Sequence, residues 1–182
     1  MCWHFFCTEH YMSNFTWLQS LLMKLLNIIL IYFLSVGIAF GQSDKSDIEQ
    51  INYVVLELFD AYRAGDSARV AAGFSKGAEI QTLHMNNEGK VELSGSKPVS
   101  VLLDYIGNGL SQVHDERLWD TTIHSDGLLA TVWTKYAFFI GKTFIHCGSE
   151  TILLKKEENK WKIFYLADTR QTKGCKLPSS IK

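Results

Sequence analysis

The chain has 182 residues, a formal net charge of −1 at neutral pH, and 47% hydrophobic with 13% aromatic residues. That balance excludes an electrostatic nucleic-acid binder, which needs a basic excess, and leaves no acidic tail to act as a solvated arm. The length and apolar content fit one domain able to bury a core of its own.

Residues 1–22 are aromatic, carry Glu9 and hold no Lys or Arg. They are read as a non-native upstream extension, with translation starting at Met23. Cys2, His4, Cys7 and His10 lie there in a spacing that superficially resembles a metal site, but such matches need a folded context and no metal is assigned. Residues 23–41 read as a secretory signal peptide: Lys24, an apolar run from Leu25 to Phe40, then Ala39 and Gly41 before a cleavage point. The run falls short of the ~20 residues that span a bilayer comfortably. An uncleaved anchor is the alternative, and the only membrane contact expected.

Residues 42–175 then form a single domain. Ile48, Ile51, Val55, Leu58, Phe59 and Tyr62 recur at helical spacing and predict an amphipathic helix ending near Gly65. Asp66 or Ser67 caps a short second helix through Phe74. Residues 78–85 read as a strand, Asn86 to Gly89 as a turn, and Val91 to Leu93 as a short return strand. Pro98 opens a third helix that ends at Gly107. An extended run covers 111–124. Three β-rich runs follow from Leu128 to Arg170, separated by turns at Gly141-Lys142 and within 155–160. Residues 176–182 are expected to fray. Cys147 and Cys175 remain in the mature chain. In an oxidising compartment they can form a disulfide if the chain turns back through Gly174; a buried Cys147 with a free Cys175 is the alternative.

Helices followed by a meander of long strands indicate an α+β class, with a curved sheet wrapped on about three helices. Three phrases carry a resemblance. Phe59 to Asp66 resembles a "Y-x-x-G-D" helix ending. Phe74 to Ile80 resembles an "F-x-x-x-A-x-(I/V)" entry into the first strand. Asn159 to Ile163 resembles an "x-G-x-W-K-I" turn into the last strand, with Asn-Lys in place of the Gly-containing turn. In this order, over about residues 47–170, they resemble the nuclear transport factor 2-like (SnoaL-like) superfamily, in the exported branch described as lumazine-binding-like. The resemblance implies a cone-shaped mixed or antiparallel sheet with an open, partly apolar cavity. The superfamily includes isomerases, dehydratases and non-catalytic binding or dimerising domains, so fold alone sets no function.

Strand alternation sorts the candidate site residues. Phe144, His146, Gly148, Glu150, Ile152 and Leu154 fall on one face. This directs His146 and Glu150 towards the cavity, as an acid–base pair close enough to act across one small substrate or as a structural ion pair. Asp168 and Arg170 end the last strand, either as ligand-binding groups or as a rim pair. Trp119, Tyr136 and Phe138 supply aromatic walls for a ligand or simply for the core. Trp133 shares the opposite face with Lys135 and is a candidate for a dimer interface. The run His114 to Arg117 reads as a solvated edge. Neither a phosphate loop nor a nucleophile elbow is present, and no cofactor is called for.

The expected function is therefore an exported domain, in the bacterial periplasm or secreted, that binds a small apolar or aromatic ligand as a homodimer. The alternatives are a small lyase or isomerase using His146 or Asp168 as general base, with Glu150 or a Tyr as partner, and a structural or dimerisation module.

Overall fold

The computed structural model describes residues 23–26, 43–86 and 88–181. Residues 23–26 form a helical turn. The signal-peptide reading otherwise concerns residues outside those described, as do Cys2, His4, Cys7 and His10. No helix among the described residues is long and apolar enough to cross a membrane.

The folded unit begins with helix α1, Ser43–Ala64. Its buried stripe is Ile51, Val55, Leu58 and Phe59, as the spacing predicts. The helix stops at Gly65, whose φ of 70° is one that L-residues adopt at a cost. The Gly65 N–H donates to the Tyr62 carbonyl and the Asp66 N–H to the Ala61 carbonyl, a paired closure of the last turn. The Asp66 side chain then accepts from the Arg69 N–H at 3.0 Å and caps α2, Ser67–Gly73.

Strands β1 (Phe74–Met85), β2 (Val91–Leu93) and β3 (Lys97–Pro98) precede helix α3, Val99–Gly107. Two boundaries differ from the sequence reading. β1 starts at Phe74 rather than Ala78 because a bulge between Phe74 and Glu79 carries the pairing with the last strand across an irregular stretch. Pro98 pairs with Glu79 and stands just before α3 rather than inside its first turn.

Strands β4 (His114–Ser125), β5 (Leu129–Ile140), β6 (Thr143–Glu157) and β7 (Lys160–Arg170) complete a seven-stranded sheet in the order β2-β1-β7-β6-β5-β4, with β3 also paired to β1. β1 and β7 run parallel and every other pair is antiparallel. Glu158 and Asn159 both take positive φ in the two-residue turn between β6 and β7, the twist that suits tightly connected strands. One sheet face packs on the helices: Ala130, Val132, Ile152, Leu154, Ile163 and Leu166 meet the stripe of α1, with Val70 and Ile106 from the shorter helices.

The other face carries a smaller cluster of Ala137, Phe139 and Ile181, with Trp119, Phe144 and Leu177 against it. The segment after Gly174, expected to fray, packs there instead. Cys175 is disulfide-bonded to Cys147 with a Cα–Cα distance of 6.0 Å. The backbone of Gln171 pairs with Cys147, and Arg117 donates to the Ile181 carbonyl at 2.7 Å. A covalent tie and an apolar anchor hold this segment where composition alone reads as loose.

Candidate functional site

The same sheet face that builds the core changes character along its strands. On the rung after Ile152, β1, β7, β6 and β5 present Thr82, Asp168, Glu150 and Thr134, each paired with the next. Period-two alternation then brings Arg170 from β7, Gly148 from β6 and Tyr136 from β5 to the same side. Glu116 of β4 pairs with Phe138 of β5, which pairs with His146 of β6. Over this region lies a cavity of about 700 Å³. Its apolar walls include Phe59, Leu102, Phe138 and Leu166, and its polar lining includes Glu116, Glu150, Asp168 and Arg170.

Asp168 is the best-connected group of the site. It accepts from Thr82 Oγ1 at 2.6 Å, from Tyr136 OH at 2.9 Å and from Arg170 Nε at 2.7 Å. Tyr136 reaches it by lying across Gly148: the Tyr136 OH also donates to the Thr169 carbonyl at 3.0 Å. A Cβ at position 148 would stand 1.7 Å from that carbonyl oxygen and 2.9 Å from the Tyr136 ring, so only glycine fits there.

Glu150 contrasts with its neighbour. It is 3% exposed, and its Oε1 has no hydrogen-bond partner. Burial first, then the negative charges of Glu116 and Asp168, push its carboxyl well above the ordinary range, with Arg170 opposing. Glu116 is pushed up to about 8, by burial first and Asp168 next, again against Arg170. Two carboxyl groups are thus pushed towards their protonated forms beside one that is fully hydrogen-bonded.

At the α1 and α3 side of the cavity, buried His114 meets Tyr62 OH at 3.1 Å through Nδ1 and Tyr105 OH at 3.5 Å through Nε2. Burial lowers the His114 pKa and raises that of Tyr62, so both stay neutral around pH 7. Phe138 stacks on Tyr62 at 6.3 Å and meets the His114 ring edge-on at 5.4 Å.

Of the residues expected at the site, Phe138, Glu150, Asp168 and Arg170 line the cavity. Tyr136 is fully buried beneath it as a support for Asp168. His146 packs on the Tyr136 and Phe138 rings at 5.6 and 5.1 Å and does not line the cavity. It also does not pair with Glu150. They are four positions apart, roughly 13 Å along a strand, too far for a direct bond. Trp119 is on the opposite face with Ala137 and Phe139 and is no part of a ligand wall. Phe144, expected beside His146, is on that outer face too, because a bulge between Phe138 and Phe139 pairs Phe139 with Phe144 and leaves Ile145 over. Arg170 satisfies the rim-pair reading through Asp168.

The run His114 to Arg117, read as a solvated edge, is instead the start of β4, with His114 and Glu116 facing the cavity. The alternation of His114, Glu116 and Leu118 was the available signal. Asp115 and Arg117 point the other way and pair with each other at 2.7 Å. Tyr62 was visible as the last member of the helical stripe.

No protein-family model matches this chain, and no curated protein matches it. Solved structures do. A scytalone dehydratase-like protein from Novosphingobium aromaticivorans superposes with a TM-score of 0.58 at 12% identity, covering 75% of this chain and 92% of that one. A protein of the same organism with a cystatin-like, nuclear transport factor 2-like fold gives 0.57 at 13% identity, covering 79% and 92%. A Mycobacterium tuberculosis protein of unknown function gives 0.57 at 18% identity, covering 79% and 81%. At these identities the likeness establishes the fold, and this chain has the nuclear transport factor 2-like, cystatin-like α+β fold.

Proposed function

We propose that the chain is an exported domain that binds a small, largely apolar molecule in the cavity between the helices and the sheet. One observation carries this reading: a cavity of about 700 Å³ with aromatic and aliphatic walls and a compact polar cluster at one end. That combination of shape and a few convergent polar groups is typical of small-molecule sites. The Cys147–Cys175 bond and the secretion pattern of residues 23–41 support an oxidising, exported compartment such as the bacterial periplasm. Exposed Trp133, on the sheet face away from the helices, supports pairing of two copies there. Native mass spectrometry of the protein recovered from its own host tests both points. The expected result is a dimer carrying an added mass that denaturing extraction releases; bare monomer refutes both.

A second reading, an acid–base lyase or isomerase, is favoured by Glu116. A cavity carboxyl that titrates near 8 can hold or take a proton at neutral pH. The dehydratase-like neighbour is consistent with it. The role expected of His146 moves to Glu116 and Glu150, since His146 lies outside the cavity. Enzyme-dependent exchange of acidic C–H protons in a panel of carbonyl compounds in D2O, lost in Glu116→Gln, is the expected sign. A panel showing no exchange above background removes this reading.

A further inference from the structure

We infer that the polar end of the cavity is a binding site for the ammonium group of a small organic amine, whose apolar body lies along Phe138, Phe59 and Leu102. This inference rests on the cavity being a ligand site. Its foundation is an imbalance of charge partners. Asp168 is neutralised by Arg170 and saturated by Thr82 and Tyr136. Glu116 and Glu150 have no ion pair and no side-chain hydrogen bond among the described residues, although Glu150 stands directly across from Asp168. Glu150 Oε1 is the buried acceptor left without a partner, which is costly and marks a place for a donor from outside the chain.

The chemistry of the cluster narrows that donor. A carboxylate or phosphate would bring further acceptors to a cluster whose Arg170 is already engaged by Asp168, with Lys97 only at the rim. A metal ion needs several ligands converging on one point, and no group of three or more His, Cys, Asp or Glu side chains is so placed among the described residues. An ammonium carries three donors and a positive charge, enough for both glutamates at once. The apolar walls set the rest of the molecule as aromatic or aliphatic.

Binding is then coupled to protons. The groups around Glu116 and Glu150 are Asp168 and Arg170 on β7, Tyr136 on β5 and His114 on β4, with His146 on β6 set behind the Tyr136 and Phe138 rings outside the cavity. From the other side come Tyr62 on α1 and Tyr105 on α3, while His84 on β1 and Lys97 on β3 stand at the rim. Burial keeps His114 and His146 neutral, so neither supplies a competing positive charge near pH 7. In the empty cavity both carboxyls are pushed towards their protonated forms, Glu116 up to about 8. An ammonium draws one of them into its ionised form and releases about one proton. Affinity therefore rises by up to about tenfold per pH unit between pH 6 and 8, while the amine itself stays charged.

The test is calorimetric titration of the protein as its host produces it, in buffers of different ionisation heat at pH 6, 7 and 8. The probes are two matched series: tryptamine, tryptophol and indole-3-acetate, then octylamine, octanol and octanoate. The amine of at least one series is expected to bind about tenfold or more tightly than its alcohol and acid, with release of about one proton. Alcohols or acids binding as tightly as amines, or amines binding without proton release, overturn the ammonium site and leave the ligand cavity standing. Silence from both series up to millimolar concentration also overturns it; the cavity reading falls with it only if native mass spectrometry finds bare protein. Glu150→Gln should weaken the amine about tenfold and change the alcohol by less than about twofold. Unchanged amine affinity in a folded Glu150→Gln protein overturns the proposal, and Glu116→Gln gives the same test should the first variant fail to fold.

Discussion

Two ends of one sheet face treat a buried carboxyl in opposite ways. Near the start of α1, Asp47 is 4% exposed and accepts from Lys156 Nζ at 2.7 Å and from Trp161 Nε1 at 3.2 Å. The Lys156 hydrogen bond, against the opposing effect of burial, holds its carboxyl below the usual range. At the cavity end Glu150 is equally buried, lacks such a partner and is pushed the other way. Burial is common to both. A cation hydrogen-bonded to the carboxyl outweighs burial at Asp47, whereas at Glu150 burial and the charges of Glu116 and Asp168 outweigh Arg170, which is held by Asp168.

The comparison can be broken most severely at Gly148. A methyl group there collides with the Thr169 backbone and the Tyr136 ring, so Gly148→Ala should cost about 4 kcal/mol or more. Thermal unfolding should show a large loss of Tm or no folded protein; a near-normal Tm would mean that Tyr136 can vacate Gly148 cheaply.

The next largest effect concerns the outer brace behind the polar rungs. Cys175→Ser opens a link between positions 28 apart in sequence and should cost about 3 kcal/mol. Hydrogen exchange should rise over residues 171–181 and β6 around Cys147, and stay unchanged at the α1 end.

Asp47→Ala should cost about 2 kcal/mol at pH 7, because Lys156 and the Trp161 N–H lose their acceptor. Asp47 is a lowered carboxyl, so its contribution is full at neutral pH and disappears in acid as its folded-state pKa is crossed. The difference from wild type, followed by urea denaturation, should shrink as pH falls below the ordinary carboxylate range.

The smallest effect has the opposite sign. Glu116 and Glu150 have raised folded-state values, so the folded chain binds extra protons between the ordinary carboxylate range and about pH 8. Their contribution is full only below the ordinary carboxylate range and is lost as pH rises from there through the folded-state values. Glu150→Gln should therefore stabilise the empty protein by at least about 1 kcal/mol at pH 8 and leave it nearly unchanged at about pH 4. A loss of stability at pH 8 would show that Glu150 is an ionised structural partner after all.

Much of the fold was legible because it rests on local periodicity. The α1 stripe, the Gly65 stop and the β5–β6 hairpin all come from spacing and turn chemistry that short segments carry by themselves. The site was less legible because it depends on which strands meet. Asp168 and Glu150 were recognised singly, but the pairing that sets them opposite each other belongs to the β6–β7 register. Glu116 was missed because charges at a strand start look solvated until the helices over them are known. Trp119 was misplaced because an aromatic strand residue fits either face, and only its cross-strand partners choose between them.

The surplus residue at Ile145 controls the parity of β6. Phe144 and His146 are both even-numbered yet face opposite ways, because Phe144 pairs with Phe139 and His146 with Phe138. Beyond Cys147 no β7 partner is paired with this end of β6, so Ile145 lies where the strand has one neighbour rather than two. A one-residue deletion at 145 would leave every inner and outer assignment intact. The same deletion between 149 and 153 would turn Glu150 or its neighbours inside out. Length variation in this strand is therefore confined to a single tolerant position, and a residue correspondence drawn across it by counting from the Gly141 turn would put His146 on the wrong side of the sheet.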